Sequence, residues 1–440
     1  MKILFISLGC DKNLVDSEEM LGLLSGEHFE FTDDEEEADV IIVNTCCFIH
    51  DAKEESIETI LQMAEYRTNG KCKALIVTGC LAQRYQEEIR KEIPEVDAVL
   101  GTSSYDAIVD AVRNALSGEK TEVYTNLDHL IVEEDNRYVT TGGHYAYLKI
   151  AEGCNKCCTY CVIPSIRGRY RSVPMEQLLD SAKRLVNQGV KELIIVAQET
   201  TVYGQDLYKE KKLPELLHRL CEIPGLVWVR LLYCYPEEIT DELIETIRTE
   251  KKICHYIDMP IQHVNDRILK LMGRRTNHEQ LVRIIHKLRD AIPDITIRTT
   301  LITGFPTETN EEHEEVLEFV DTMEFERLGT FEYSPEENTP AADMDGQIED
   351  DVKIARKNAI MELQQEISLD KGEEMIGREV LVIIEGKVVD ENAYIGRTYM
   401  DAPGVDGNIF INTDACLVTG DFVHVVVTGA LEYDLIGELV

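Results

Sequence analysis

Three apolar runs near the start of the chain each stop at a cysteine: "ILFISLGC" at Cys10, "VIIVNTC" at Cys46 and "ALIVTGC" at Cys80. Near-continuous Val, Ile and Leu mark strands buried on both faces, and the stretches between them, such as "DSEEMLGLLSG" and "KEESIETILQMAEY", carry a helical period. Residues 1–120 are therefore expected to form a parallel α/β domain. In such open sheets ligands bind beyond the carboxyl ends of the strands, which is where these three thiols emerge.

A second alternation begins near residue 140. "YAYLKI", "ELIIVAQ", "VWVRLLY", "HYIDMPI", "TIRTTLITGF" and "RLGTFEYS" read as strands, separated by helical stretches such as "MEQLLDSAKRLVNQG" and "NEEHEEVLEFVDTME". This pattern predicts a (βα)6 partial TIM barrel over residues 140–371, with its chemistry at the C-terminal ends of the strands. From residue 372 the pattern changes to short alternating strands with Gly, Asp and Asn turns, which predicts a small five-stranded antiparallel β-barrel over 372–440. Just before it, "EDDVKIARKNAIMELQQEISLDKGEEM" reads as a long amphipathic helix, either packed on the core or serving as a connector.

Composition narrows the setting. "MKILFISLGCDKN" is a strand followed by charge, not a signal peptide, and no stretch reaches the ~18 apolar residues a membrane span needs. The expectation is a cytoplasmic protein with no membrane contact. Its thirteen cysteines, an odd number, then read as ligands plus buried thiols rather than a disulfide framework. The formal net charge is −39: residues 1–120 carry 11 Lys/Arg against 25 Asp/Glu, and residues 372–440 carry 3 against 13. Such a field repels a polyanion and attracts a basic protein, although solubility alone is an equal explanation.

The densest chemistry lies in "EGCNKCCTYCVIP", four cysteines within eight residues, on the loop after the first core strand. A cubane held by three thiolates keeps one iron open for a substrate or cofactor, whereas four close it to all but electron transfer. Cys157 and Cys158 are adjacent and cannot both point at one cube. The spacing allows Cys154, Cys158 and Cys161, or Cys154, Cys157 and Cys161. In the first domain the three strand-end cysteines form a second candidate set, because soft thiolates suit iron or zinc, while Cys47 and Cys72 lack that placement and read as structural.

"EGCNKCCTYCVIPSIRG" resembles the cluster loop of the radical S-adenosylmethionine superfamily, Cys-x3-Cys-x2-Cys, which selects Cys154, Cys158 and Cys161. With "SLGCDKNLVDSE", "VNTCCFI", "VTGCLAQRY", "YIDMPIQH" and "GRTYMDAPGVDG", the chain resembles the methylthiotransferases nearly end to end, and among them the RimO type. That type acts on an aspartate β-carbon of small-subunit ribosomal protein S-twelve. The resemblance implies a radical core, a C-terminal TRAM barrel and two 4Fe-4S clusters, the second held by Cys10, Cys46 and Cys80. It also implies S-adenosylmethionine as both radical source and methyl donor, and an external reductant and sulfur source.

The family usually has another residue at 157, so Cys157 is expected to be spare. It also usually has Gly-Phe-Pro-Gly-Glu where this chain has "GFPTE", so a positive φ at that turn would strain Thr307. Gly304, Pro306 and Glu308 of this turn, together with Gln198, Arg230, Pro260 and Gln262 at or past strand ends, are the candidate S-adenosylmethionine contacts. His263 reads as structural. An electron carrier is the competing class, but carriers normally close each cluster with a fourth ligand. The competing substrate is tRNA, which sister methylthiotransferases modify. Only Arg378, Lys387 and Arg397 face thirteen carboxylates in the terminal segment, which disfavours tRNA and predicts that Asp401, Asp406 and Asp414 steer a basic protein.

Overall fold

The computed structural model describes residues 1–129, 137–389 and 392–440. In the first domain six parallel strands lie in the order Glu30–Phe31, Lys2–Ser7, Val40–Thr45, Ala74–Gly79, Ala98–Leu100, Thr121–Val123. Every residue of Val40–Thr45 and Ala74–Gly79 is buried, as the aliphatic runs Val40 to Val43 and Ala74 to Val77 lead one to expect. Helices Asp11–Gly26 and Ile108–Leu116 cover one face, where Met20, Leu24 and Val112 meet Ile42 and Ile76. Helix His50–Asn69 covers the other, where Ile60 and Met63 meet Ile41, Val43 and Val77. Each such aliphatic side chain contributes about 1.5–3 kcal/mol on full burial.

The core sheet holds Tyr145–Lys149, Glu192–Val196, Trp228–Leu231, Ile253–Asp258, Thr296–Thr303 and Arg327–Glu332, adjacent in chain order and all parallel. Alternate residues face the surrounding helices: Ile195, Val229, Leu231 and Ile297 pack against Leu179, Leu217 and Leu288. The other face is also covered. There Tyr147, Ile194, Trp228 and Tyr256 meet Val15 of the first domain and Ile383 and Ala402 of the terminal barrel. Helix Asp350–Glu373 sends Ile360 and Ile367 into the core cluster, so it is packed structure as well as a connector.

The terminal barrel is closed, in the order Glu379–Lys387, Ala393–Arg397, Ile409–Asn412, Leu435–Leu439, Phe422–Ala430. All its pairings are antiparallel except Ile409–Asn412 with Leu435–Leu439. It docks on the N-terminal ends of the core strands through buried ion pairs. Arg397 reaches Glu192 at 2.6 Å, Arg230 reaches Glu192 at 2.8 Å, Arg327 reaches Asp401 at 2.6 Å and Arg298 reaches Asp406 at 3.2 Å. Burial pushes the Glu192 carboxyl up, but Arg397 and Arg230 together hold it at about 2.

This docking corrects the steering expectation for two residues. Asp401 is buried, Asp406 is half-buried with its side chain only 2% exposed, and both pair with core arginines, while Asp414 is exposed. Charge in the sequence did not reveal which carboxylates a neighbouring domain would take up.

Candidate functional site: two cysteine triads across a domain interface

Strand register brings the first triad together. Ser7 pairs with Asn44 and Thr45 with Gly79, so the next residues out of the sheet are level, and Cys46 and Cys80 leave neighbouring strands side by side. Cys10 joins them through a close approach at Gly9 (φ 94°), where a Cβ would lie 2.8 Å from the Cys46 Cβ. Gly79 takes φ 94° and ψ −155°, a region essentially reserved for glycine, and a Cβ there would lie 2.3 Å from Asn44 Oδ1. Burial pushes the Cys46 thiol up and the Cys80 thiol up to about 12; Arg167 lowers both, while Cys10 raises both and Cys46 also raises Cys80. Cys47 and Cys72 lie in the apolar core of this domain, as expected of structural thiols.

The second triad is local. The short strand Ala151–Glu152 leads into the loop, with Cys154 and Cys158 buried and Cys161 half-buried. Burial pushes the Cys154 thiol up to about 11 and the Cys161 thiol up to about 12, with neighbouring thiols of the loop adding to both. Cys157 stands apart: it is exposed and its backbone is left-handed, φ 56°.

All six cysteines are free thiols. Among the described residues no three His, Cys, Asp or Glu side chains converge on a single metal ion. A cubane instead takes one thiolate per iron, so its cysteines stand apart by the width of the cluster, and three free thiols in each set are the soft donors it requires. Beside the second triad the structure also leaves buried polar atoms without hydrogen-bond partners: Arg274 Nε and Nη1, Gln198 Oε1 and Glu237 Oε2. Arg274 lies 4.3 Å over the Tyr235 ring, whose hydroxyl is 4.0 Å from Cys158 Sγ. Unpaired buried donors and acceptors are what a ligand with charged amino and carboxylate groups would satisfy.

A buried polar network runs from the first triad to the segments that flank the cysteine loop. Arg167 donates from Nη2 to Cys80 Sγ (3.4 Å) and Asn13 Oδ1 (3.0 Å), and from Nη1 to Asp16 Oδ2 (2.6 Å). Lys149 pairs with Asp16, and also with Glu152 at 3.2 Å. Glu152 in turn accepts from Gln198 Nε2 at 2.6 Å. Gln198 therefore sits just past its strand, bonded to the segment that leads into the cysteine loop.

The remaining candidates are dispersed. Arg230 lies within its strand and spends its guanidinium on Glu192 and on the Tyr399 and Thr398 carbonyls, facing the terminal barrel and not the cysteine loop. Pro260 accepts from Arg274 through its carbonyl (2.8 Å), and Gln262 has φ 71° at a bridge to Leu301. Glu308 folds back on its own turn, accepting from the Gly304 and Phe305 amides at 2.5 and 3.0 Å, with Pro306 buried beside it. Burial pushes the Glu308 carboxyl up to about 7, against Arg356 at 3.3 Å. Thr307 has φ 67°, the strained conformation anticipated for a non-glycine there, and Arg267 clamps its hydroxyl and carbonyl at 2.9 and 2.8 Å. His263 accepts the Asn265 amide at Nδ1, and burial pushes its imidazole down to about 3, which fits a structural role.

Sequence reasoning missed Arg167 and the glycines. The glycines left a signal, since Cys10, Cys80 and Cys154 each follow a glycine of positive φ. Arg167 left none, because its partners are far away in the chain.

An α/β domain and a parallel six-stranded core, each carrying a cysteine triad, with a five-stranded barrel beneath, define a radical S-adenosylmethionine enzyme of the methylthiotransferase class. Three family descriptions match in turn: "Uncharacterized protein family UPF0004" over residues 2–101, the Radical SAM superfamily over 148–320 and the TRAM domain over 376–440. The chain is 63% identical over 437 residues to the ribosomal protein uS12 methylthiotransferase RimO of Lachnoclostridium phytofermentans, covering 99% of both chains. It is 51% identical to the same-named protein of Acetivibrio thermocellus, covering 100% of this chain and 98% of that one. The chain belongs to the RimO family. Among solved structures, the radical S-adenosylmethionine methyltransferase TsrM from Kitasatospora setae, with cobalamin and a [4Fe-4S] cluster bound, shares the fold. It is 14% identical, with a TM-score of 0.56 over 77% of this chain and 73% of that one.

Proposed function

We propose that this chain methylthiolates an aspartate β-carbon of ribosomal protein uS12, the S-twelve protein, with one 4Fe-4S cluster on each triad. The observation that carries the reading is the pair of three-thiol sets, one on each side of a single buried interface. Bound to these thiols, the clusters with S-adenosylmethionine supply the electron and the carbon-centred radical that the reaction needs, and the group that is transferred.

The chain's own residues hold and enclose that chemistry. Cys154, Cys158 and Cys161 supply the core thiolates, Cys10, Cys46 and Cys80 those of the first domain, and Cys157, exposed, takes no part. Gln198, bonded to Glu152 just before the core loop, and Pro260, bonded to Arg274, line the S-adenosylmethionine cavity together with Gln262, while Arg274 offers its unpaired donors to a carboxylate. Gly304, Pro306 and Glu308 shape the neighbouring turn, and Arg230 serves the base of the core. Tyr235, whose hydroxyl lies 4.0 Å from Cys158 Sγ, and Tyr160 of the loop itself, both half-buried, add aromatic surface that limits water there.

An external reductant and sulfur source complete the reaction, in the cytoplasm. With Asp401 and Asp406 taken up by the core, the terminal segment still has eleven carboxylates against Arg378 and Lys387, a surface that suits a basic protein better than tRNA. The test is to incubate reduced, reconstituted enzyme and S-adenosylmethionine with uS12 and, separately, with tRNA. A methylthio group is expected on one aspartate of uS12. A methylthio-adenosine product with unmodified uS12 overturns the reading.

A further inference from the structure

Val162 and Ile166 directly follow the core cysteine loop, yet they pack inside the first domain with Leu81, Ala82 and Val99. The Ile166 carbonyl accepts from Thr102 Oγ1 at 2.7 Å. Helix Ile163–Arg167 thus begins at the core triad and ends beneath the other one. Arg167, 2% exposed, closes it with three kinds of contact: a carboxylate on each domain (Asp16 and Glu152), the Asn13 amide oxygen, and the sulfur of Cys80. Lys149 and Arg167 Nη1 together supply the two positive charges that Asp16 and Glu152 need, whereas Arg167 Nη2 meets no carboxylate among the described residues and donates to Asn13 and Cys80. The donor that Arg167 extends toward Cys80 is therefore not explained by carboxylate pairing alone.

We propose that Arg167 is a positioning residue of the N-terminal cluster, supplied by the helix that follows the core cysteine loop, so that the surroundings of the first domain's thiolates are finished only when the two domains are docked. The inference rests on the two-cluster reading above. A charged N–H aimed at a ligating sulfur orients that sulfur and stabilises the more negative, reduced form of a cluster. Asn13, hydrogen-bonded to the Leu8 and Thr45 carbonyls beside Cys10 and Cys46, extends the same hold to the other two strand ends. One side chain thereby ties the geometry of three strands to the loop that carries the other cluster.

The test uses the full chain with Cys154, Cys158 and Cys161 replaced by alanine, so that only the first domain can be loaded. In that background Arg167→Gln is expected to lose iron to a chelator about 10–100-fold faster, the usual cost of removing an outer partner of a metal ligand. Its midpoint potential should move to a more negative value, and Arg167→Lys should recover part of both effects. Lys149→Met, which loosens the same interface without touching Cys80, should leave the potential in place. If Arg167→Gln matches the parent in iron retention and potential, the proposal is overturned, and an equal potential shift in Lys149→Met overturns it in favour of simple undocking. A parent background that binds no iron at all overturns the two-cluster reading itself, and this proposal with it.

Discussion

Cys154, Cys158 and Cys161 come from one loop, whereas Cys10, Cys46 and Cys80 come from the ends of three strands. The loop needs only its own turns to bring its sulfurs together. The strand-end triad needs the sheet: pairing Ser7 with Asn44 and Thr45 with Gly79 fixes how far each cysteine projects, and a slip of one residue would turn the side chains to the other face. A site made by register is bound to the stability of its domain, while a site made by a loop is bound mainly to its neighbours.

The largest test of that contrast removes each triad in turn. Alanine at Cys154, Cys158 and Cys161 should abolish reductive cleavage of S-adenosylmethionine, while alanine at Cys10, Cys46 and Cys80 should leave cleavage and remove one cluster's iron. Chromatographic assay of deoxyadenosine with iron analysis decides this, and equal loss of cleavage in two folded variants would show that the triads are not separate. Within the loop, Cys158→Ala should lose the core cluster and Cys157→Ala should keep iron and turnover; the reverse result would make Cys157 the ligand.

Arg397→Ala should cost about 3–5 kcal/mol in denaturant unfolding, because among the described residues it leaves the buried Glu192 with Arg230 as its one remaining cation and breaks the contact to Glu385, yet it should leave the iron content of the folded chain unchanged. Gly79→Ala should cost about 1–3 kcal/mol and selectively weaken iron retention in the first domain, since its backbone would be strained and its Cβ would meet Asn44 and the Thr45 carbonyl. Unchanged retention there would argue that register alone places Cys80. The smallest effect belongs to the core turn: Thr307→Gly relieves a positive φ but gives up the hydroxyl contact to Arg267, so stability should change by no more than about 1 kcal/mol.

What could be read in advance follows the same division. The strands, the loop and the cysteines are written in short stretches of sequence, because alternation, aliphatic runs and Cys spacing are local. Arg230 could be placed near the C-terminal strand ends only by analogy of position; its true partner, Glu192, is 38 residues away, and the carbonyls it also meets are more than 160 away. Asp401 and Asp406 likewise read as surface charge until the core arginines are found beneath them. Charge pairing between domains has no period and no spacing, so it is invisible until the domains are seen together.

The closing strand of the terminal barrel, Leu435–Leu439, bears on how the enzyme is made. It follows the other four barrel strands in chain order, and it fills the gap between Ile409–Asn412 and Phe422–Ala430. Until it arrives the barrel is open, and the arginines at the base of the core, Arg230, Arg298 and Arg327, await their carbonyl and carboxylate partners. During vectorial synthesis the two cysteine triads are thus complete long before the platform beneath one of them is. A prematurely terminated chain would carry every thiol the chemistry uses while leaving buried charges unpaired, and would be open to proteolytic clearance before it could act.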